Sequence, residues 1–411
     1  MIYKLGDVCN FYNGGAWSDK EYVDSGLPVL KVTNCKNNGF VLENIDYLPA
    51  ESVSKYSRNK LQIGDVVIAT VGSHPNLVNS AAGRTCIVNS SVEGFYLNQN
   101  AVCIRTKNPS VIDQRYLGYL SKSRLFQHYI QMHGRGAASQ MRIAISAIKS
   151  YEFDFPKLHI QQQIANILSA YDDLIENNQK QIRLLEEAAQ RLYKDWFVDF
   201  HFPGHETVKV VDGVPEGWKK KVLSEVFDYI RGKSYTSKEL VDKGETLMVN
   251  LKNIKAFGGY KRNAEKYFTG NFKKEQQLLP GDIVMGVTDM TQERRLVGHV
   301  ALIPNLGKTM TFSMDLIKLI PKSITRSYLY GIMKYGGYSK KISPLANGVN
   351  VLHLKPESMM NLSMIIPTKD VLMRYEKVFV LYQRKIELLQ KQCDIAIEAR
   401  DRLLPRLMGN Q

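Results

Sequence analysis

Apolar positions along the chain follow two kinds of spacing. The first steps alternately by 4 and 3, through Ile164, Leu168, Tyr171, Ile175, Asn178, Ile182, Leu185, Ala189 and Leu192. It recurs through Tyr375, Phe379, Tyr382, Ile386, Leu389, Cys393, Ala396, Arg400 and Leu403. A mean step of 3.5 residues is that of a coiled-coil seam and predicts two long helices. Some 35 residues at 1.5 Å each make a helix roughly 50 Å long. A single stripe of this kind more often marks an amphipathic helix on a domain surface; two in one register favour mutual packing. Asn178 interrupts the apolar trend, either as a buried register device or as an exposed gap, and both readings stay open. The second kind of spacing is short and β-like, at 28–32, 65–71, 282–287 and 316–320, with Gly, Asn and Asp turns between the runs.

The chain contains itself twice. Leu5, Val8, Phe11, Gly14, Trp17, Ser18, Lys20, Glu21, Val23, Asp24 and Gly26 are matched about 218 positions on. The counterparts are Leu223, Val226, Tyr229, Gly232, Tyr235, Thr236, Lys238, Glu239, Val241, Asp242 and Gly244. Leu61-Gln62-Ile63-Gly64-Asp65-Val66-Val67 is answered by Leu279-Pro280-Gly281-Asp282-Ile283-Val284, and Phe155-Pro156 by Ile366-Pro367. Helical patches at 115–132 and 325–341 also correspond. The expected order is a globular unit over 1–156, a spacer helix over 157–200, a linker over 201–212, a second unit over 213–367 and a second helix over 368–411. Each unit is long enough to bury its own core. Around the linker, Trp196, Phe197, Phe200, Phe202 and Trp218 read as structural glue that turns the chain.

Composition adds constraints. The 411 residues carry 55 Lys+Arg against 40 Asp+Glu, a net charge of +15 that suggests a polyanionic partner. A hydrophobic share of 44% and a charged share of 23% are those of folded globular chains. No run approaches the ~18 apolar residues of a membrane span, and the first residues lack a secretory apolar segment. Five cysteines without a C-x-x-C pair argue against a disulfide framework or a zinc knuckle, so a soluble protein of a reducing compartment is expected.

Motifs of catalysis are imitated rather than present. Gly232-Lys233-Ser234 has the ending of a Walker A loop, but Phe227 stands where its first glycine belongs. Gly134-Arg135-Gly136-Ala137-Ala138-Ser139 imitates a dinucleotide fingerprint that ends in Ser, and both segments read as turns. None of the eight histidines has metal-ligand spacing, there is no G-x-S-x-G elbow, and no Asn/Asp-Pro-Pro-aromatic tetrapeptide occurs. Asp65 and Asp282 follow Gly at strand starts, where turn formation explains them.

A globular unit, a long helix, a related unit and a second long helix together resemble the specificity (S) subunit of type I restriction–modification systems, over essentially the whole chain. The resemblance rests most on Leu192-Tyr193-Lys194-Asp195-Trp196-Phe197-Val198-Asp199-Phe200 and Pro215-Glu216-Gly217-Trp218. Ile386-Glu387-Leu388-Leu389-Gln390-Lys391-Gln392, Arg402-Leu403-Leu404-Pro405-Arg406-Leu407 and the repeated Gly-Asp-Val/Ile-Val element add to it. One departure is that the first unit lacks the Pro-x-Gly-Trp that precedes the second. The resemblance implies an α+β fold: two related α/β target-recognition domains separated by two long antiparallel coiled-coil helices, in a pseudo-twofold repeat. It implies a non-catalytic, cytoplasmic subunit whose domains each read one half of a bipartite, asymmetric sequence in double-stranded DNA. The helices would dock two DNA methyltransferase subunits, which bring S-adenosylmethionine, and motor-nuclease subunits using ATP and Mg would cleave. No cofactor or metal is expected in this chain. Two other classes remain: a stand-alone DNA methyltransferase or nuclease with an unrecognised motif, and a coiled-coil protein scaffold.

Candidate DNA contacts are polar and basic residues on loops. Unit one offers Lys31, Asn34, Ser73, His74, Asn76 and Arg84, with Arg135, Gln140 and Arg142 in a Gly-rich segment that permits close backbone approach. Unit two offers Lys252, Asn253, Thr288, Arg294, Arg295, Asn347 and Asn350 in matching regions.

Overall fold

The computed structural model describes every residue except 1, 37–38, 43–44, 74–80, 138–139, 263 and 410–411, and only the backbone of Ala137 and Gln140. The chain divides into two compact units, Met1–Asn177 with Cys393–Gln411, and Asn178–Gln392. Both units are built on one plan.

In unit one, an antiparallel sheet has the order Cys9–Asn13, Ala101–Thr106, Val66–Ala69, Thr85–Ile87; in unit two the order is Phe227–Arg231, Leu316–Pro321, Ile283–Gly286, Val300–Leu302. A second sheet places Leu27–Leu30 parallel to Tyr96–Leu97, just as Thr246–Val249 lies parallel to Thr309–Phe312. The opening strands Ile2–Lys4 and Lys219–Val222 pair with the closing strands Glu152–Asp154 and Ser363–Ile366. A repeat visible as scattered identities is therefore a repeat of strand order.

The central strands explain why their sequences are apolar without alternation. All four residues of Val66–Ala69 are buried, because both faces of the sheet are covered. Val66 and Ile68 point into a core with Tyr116, Leu117 and Leu120, while Val67 points into another with Leu30, Cys35 and Leu97. Ile283 and Met285 against Val284 divide in the same way. Each such side chain stabilises the fold by roughly 1.5–3 kcal/mol relative to exposure.

The turn into this strand is also shared. Gly64 and Gly281 take φ of +86° and +83°, and the following aspartates accept from Gln62 N–H at 2.8 Å and Leu279 N–H at 2.9 Å. Turn formation is thus only part of the role of these aspartates. Asp65 is buried and grips Arg105 through two bonds of 2.6 and 2.7 Å, whereas Asp282 lies 3.9 Å from Lys318 and 3.6 Å from Arg326. Superposing the turns makes Leu278, not Leu279, the counterpart of Leu61: Leu61 and Leu278 are buried and Leu279 is exposed. Other recurring residues have equally local causes. Ser18 and Thr236 close capping boxes with Glu21 and Glu239. A Cβ on Gly14 or Gly232 would lie 1.8 Å from the Asn98 carbonyl oxygen or 2.0 Å from that of Ser313. Gly232 is therefore a site of close strand approach, continued by a parallel bridge from Lys233 to Ser313.

The predicted helical patches are two-part: Gln114–Lys122 and Arg124–Met132 in unit one, Arg326–Tyr335 and Tyr338–Ile342 in unit two. Asp113, Ser123 and Thr325 cap the first three with side-chain oxygens. The linker aromatics are packed: Phe197 lies 4.7 Å from Tyr328 and 4.8 Å from Tyr375, and Phe202 lies 5.3 Å from Trp218.

The long helices are Leu158–Phe197 and Lys369–Leu407. Within unit one Asp172 binds Arg400 at 2.6 Å and the Ile175 carbonyl receives the Cys393 thiol at 3.8 Å; within unit two Asn178 donates to Gln392 at 3.2 Å. One number rises as the other falls, so the helices run antiparallel. Every seam position is buried or half-buried, and Asn178 is a buried, paired polar residue rather than an exposed gap. The seam is not a free-standing coiled coil along its length. Tyr171, Ile175, Cys393 and Ala396 form a helix–helix cluster, but Ile164, Leu168 and Leu403 join the core of unit one. Leu192, Tyr375, Phe379 and Tyr382 join that of unit two. Each compact unit therefore takes in part of both helices, and the unit boundary falls within them.

Two stability predictions follow from buried groups. Asp65→Ala leaves Arg105 without its carboxylate and should lower unfolding free energy by about 3 kcal/mol, read by denaturant titration. Leu389→Asp puts a charge at a buried seam position and should cost on the order of 3 kcal/mol, read by the same titration.

Candidate nucleic-acid interface

In each unit the chain leaves the buried central strand and enters a second short strand, half-buried in unit one and buried in unit two, paired with a hairpin from further along. In unit one Val71–Gly72 pairs with Gln140–Ile143, which pairs in turn with Gly134–Ala137. In unit two Thr288–Asp289 pairs with Leu352–His353, and an Asn347–His353 bridge closes the hairpin. The same bond fixes both: Ile143 N–H to the Thr70 carbonyl, and Leu354 N–H to the Val287 carbonyl, each 2.8 Å. Each unit thus presents one surface platform built from sequence-distant pieces.

On the platform of unit one, Arg135 and Arg142 are direct cross-strand partners and both are exposed. Like charges opposite one another are unfavourable in an isolated hairpin, and neither guanidinium has a carboxylate partner among the described residues. They border an open cavity of about 560 Å³ with Thr70, Val71, Gln99, Asn100 and Ile143. The arrangement suits an anion with oxygens on two sides. Within the segment 134–139, expected as a turn, Gly134–Ala137 forms the first strand of this hairpin. Ser73 follows directly on the platform strand; His74, Asn76 and the Gln140 side chain lie outside the described residues.

Unit two gathers its residues around a carboxylate that sequence reading did not single out. Asp289 is buried and accepts from Thr291 N–H and Oγ1–H, both at 2.8 Å, from Leu296 N–H at 2.6 Å and from Val297 N–H at 3.2 Å. Burial alone would raise its pKa, but these donors prevail and hold it below the usual aspartate value. The 290–296 loop is drawn tight, with Arg294 at φ +54°. Arg294 and Arg295 are half-exposed; Arg295 lies 3.7 Å from Glu293, and its carbonyl accepts from Phe257 N–H at 2.9 Å. Gln292 donates to the Val349 carbonyl at 2.9 Å, joining the loop to the hairpin that carries exposed Asn347 and Asn350. Asp followed by Thr two residues on was the available signal, an Asx-turn pattern.

Other candidates are placed elsewhere or occupied. Asn34 and Asn253 are buried scaffold residues. Asn34 accepts from Lys31 N–H at 2.9 Å and donates to the Val41 carbonyl at 3.0 Å; Asn253 accepts from Asn250 N–H at 3.0 Å and donates to the Lys261 carbonyl at 3.1 Å. Lys31 is ion-paired with Asp46 at 2.5 Å and lies over Tyr22. Arg84 donates to the Cys35 carbonyl at 2.6 Å and lines a cleft shared with Lys122 and Arg400. Thr288 is buried against Asp315 at 3.1 Å. Lys252 is exposed. Among the described residues no three His, Cys, Asp or Glu side chains are placed to hold a metal ion, and no helix is long and apolar enough to cross a membrane.

Asp289→Asn sets an amide NH2 against backbone donors. It should accelerate hydrogen exchange across 290–297 and cost about 1–3 kcal/mol. Because the folded pKa is depressed, the Asp289 contribution is present above the ordinary aspartate pKa and is lost as pH falls through the folded value. Exchange in this loop should accelerate over that acid range in the native chain and not in the variant.

Known proteins share this organisation. The type I restriction modification DNA specificity domain matches residues 1–187 and again 215–399. The MjaIX specificity subunit of Methanocaldococcus jannaschii is 25% identical over 298 residues, 71% of this chain and 68% of that protein. The HindI specificity subunit of Haemophilus influenzae is 21% identical over 487 aligned positions, covering 100% of this chain and 98% of its own. The crystal structure of the type I restriction–modification S subunit from M. genitalium has the same fold, with a TM-score of 0.61 at 15% identity, covering 100% of this chain and 96% of that one. With two matched copies spanning nearly all of its length, the chain belongs to the type I restriction modification DNA specificity domain family.

Proposed function

We propose that this chain is the non-catalytic DNA-recognition subunit of a type I restriction–modification complex. Each globular unit reads one half of a bipartite, asymmetric duplex sequence through its surface platform. The long helices dock two DNA methyltransferase subunits; those bring S-adenosylmethionine, and motor-nuclease subunits supply ATP- and Mg-dependent cleavage. The observation that carries this reading is the duplicated platform, with two opposed, exposed arginines in unit one and Arg294 and Arg295 in unit two. Duplication supports two half-sites. Unequal side chains on the two platforms support an asymmetric target.

The physical basis is phosphate positioning plus base reading. Arg135 and Arg142 both border an open cavity in which phosphate oxygens would relieve their repulsion. The net charge of +15 adds a sequence-independent attraction that falls steeply with salt.

The test is duplex binding by the full chain assembled with a methyltransferase partner, measured against salt. Arg135→Ala and Arg142→Ala should each weaken binding on all sequences and lower the slope of log K against log salt by about 1. Arg295→Ala should weaken DNA association while leaving thermal unfolding unchanged. Binding that ignores both salt and sequence would sink the proposal. So would methyl transfer from S-adenosylmethionine to DNA by the chain alone.

A further inference from the structure

Val349 and Met290 are the two most exposed large apolar side chains among the described residues, at 88% and 77%. They are not scattered. Val349 sits at the tip of the 347–353 hairpin and Met290 directly follows the platform strand of unit two. The two loops are joined by the Gln292 bond to the Val349 carbonyl. The loop that begins at Met290 and carries Arg294 and Arg295 is thus tied directly to the hairpin that presents Val349.

The backbone is built to hold them out. Gly348 takes φ +149°, and a Cβ there would lie 1.9 Å from the Val351 carbonyl oxygen, so the turn that presents Val349 needs glycine. Met290 is preceded by Asp289, whose four accepted hydrogen bonds fix the loop from below. Exposing apolar groups from rigid turns costs solubility unless a partner covers them. On a surface that meets duplex DNA, the apolar group offered by base edges is the thymine C5-methyl in the major groove.

We infer that Met290 and Val349 are specificity-determining residues that read thymine methyl groups in the half-site bound by unit two. This rests on the DNA-recognition function proposed above. The corresponding hairpin of unit one carries Arg135 and Arg142, so the two hairpins read by different chemistry.

The experiment selects duplexes from a random library with the full chain and its methyltransferase partner, for wild type, Met290→Ala and Val349→Ala. Wild type should enrich a split sequence with thymine at one or two neighbouring positions of one half. Each variant should lose that preference, keep the other half, and keep the wild-type salt slope and melting temperature. Replacing one such thymine by uracil should weaken wild-type binding roughly fourfold, the worth of one buried methyl, and leave the variant that lacks its reader unaffected. Variants that enrich the wild-type sequence, or wild type indifferent to uracil, would overturn the inference. Failure of wild type to enrich any sequence would instead remove the recognition function itself.

Discussion

Burial of one strand on both faces organises each half of this protein. Val66–Ala69 and Ile283–Gly286 send alternate side chains into two cores, so each strand has no face left for water. Such a strand has a single acceptable register, since a slip by one residue exchanges the two cores. Its start is pinned by an aspartate turn and its end runs directly into the platform strand. Surface residues on the platform thus inherit their positions from the most buried part of the fold. A surface made of loops is held to a rigid base by this continuity.

Buried carboxylates recur where precision is needed, and each is satisfied differently. Asp65 uses a two-pronged arginine, Asp282 two more distant cations, and Asp289 backbone and hydroxyl donors. A buried carboxylate without such partners would cost several kcal/mol, so each fixes its surroundings to one geometry. In unit two this fixes the loop next to Arg294 and Arg295. The helices show the same economy of placement: their apolar seam serves the helix pair at Ile175 and Cys393 and the domain cores at Leu168 and Tyr375.

Much of this was legible in the linear chain. Heptad spacing located both helices to within a few residues, because a buried stripe must recur every turn. The repeat was visible because close packing leaves few choices at Gly14 and Gly232, and capping leaves few at Glu21 and Glu239. Reading individual contacts was harder. Asn34 and Asn253 looked like surface readers because Asn favours loops, but the same preference reflects its ability to satisfy buried backbone groups. Arg135 and Arg142 are seven residues apart in sequence and become partners only when a hairpin closes.

By itself, then, the sequence determined the doubled plan, the two long helices and the basic character, since these depend on periodicity, local turn chemistry and composition. Tertiary structure alone decided which polar residues serve the scaffold and which reach the surface, that Asn178 meets Gln392 and that Asp289 holds the arginine loop. The reason is physical: those outcomes turn on burial and on hydrogen bonds between residues far apart in the chain, and neither exists until the two cores have closed.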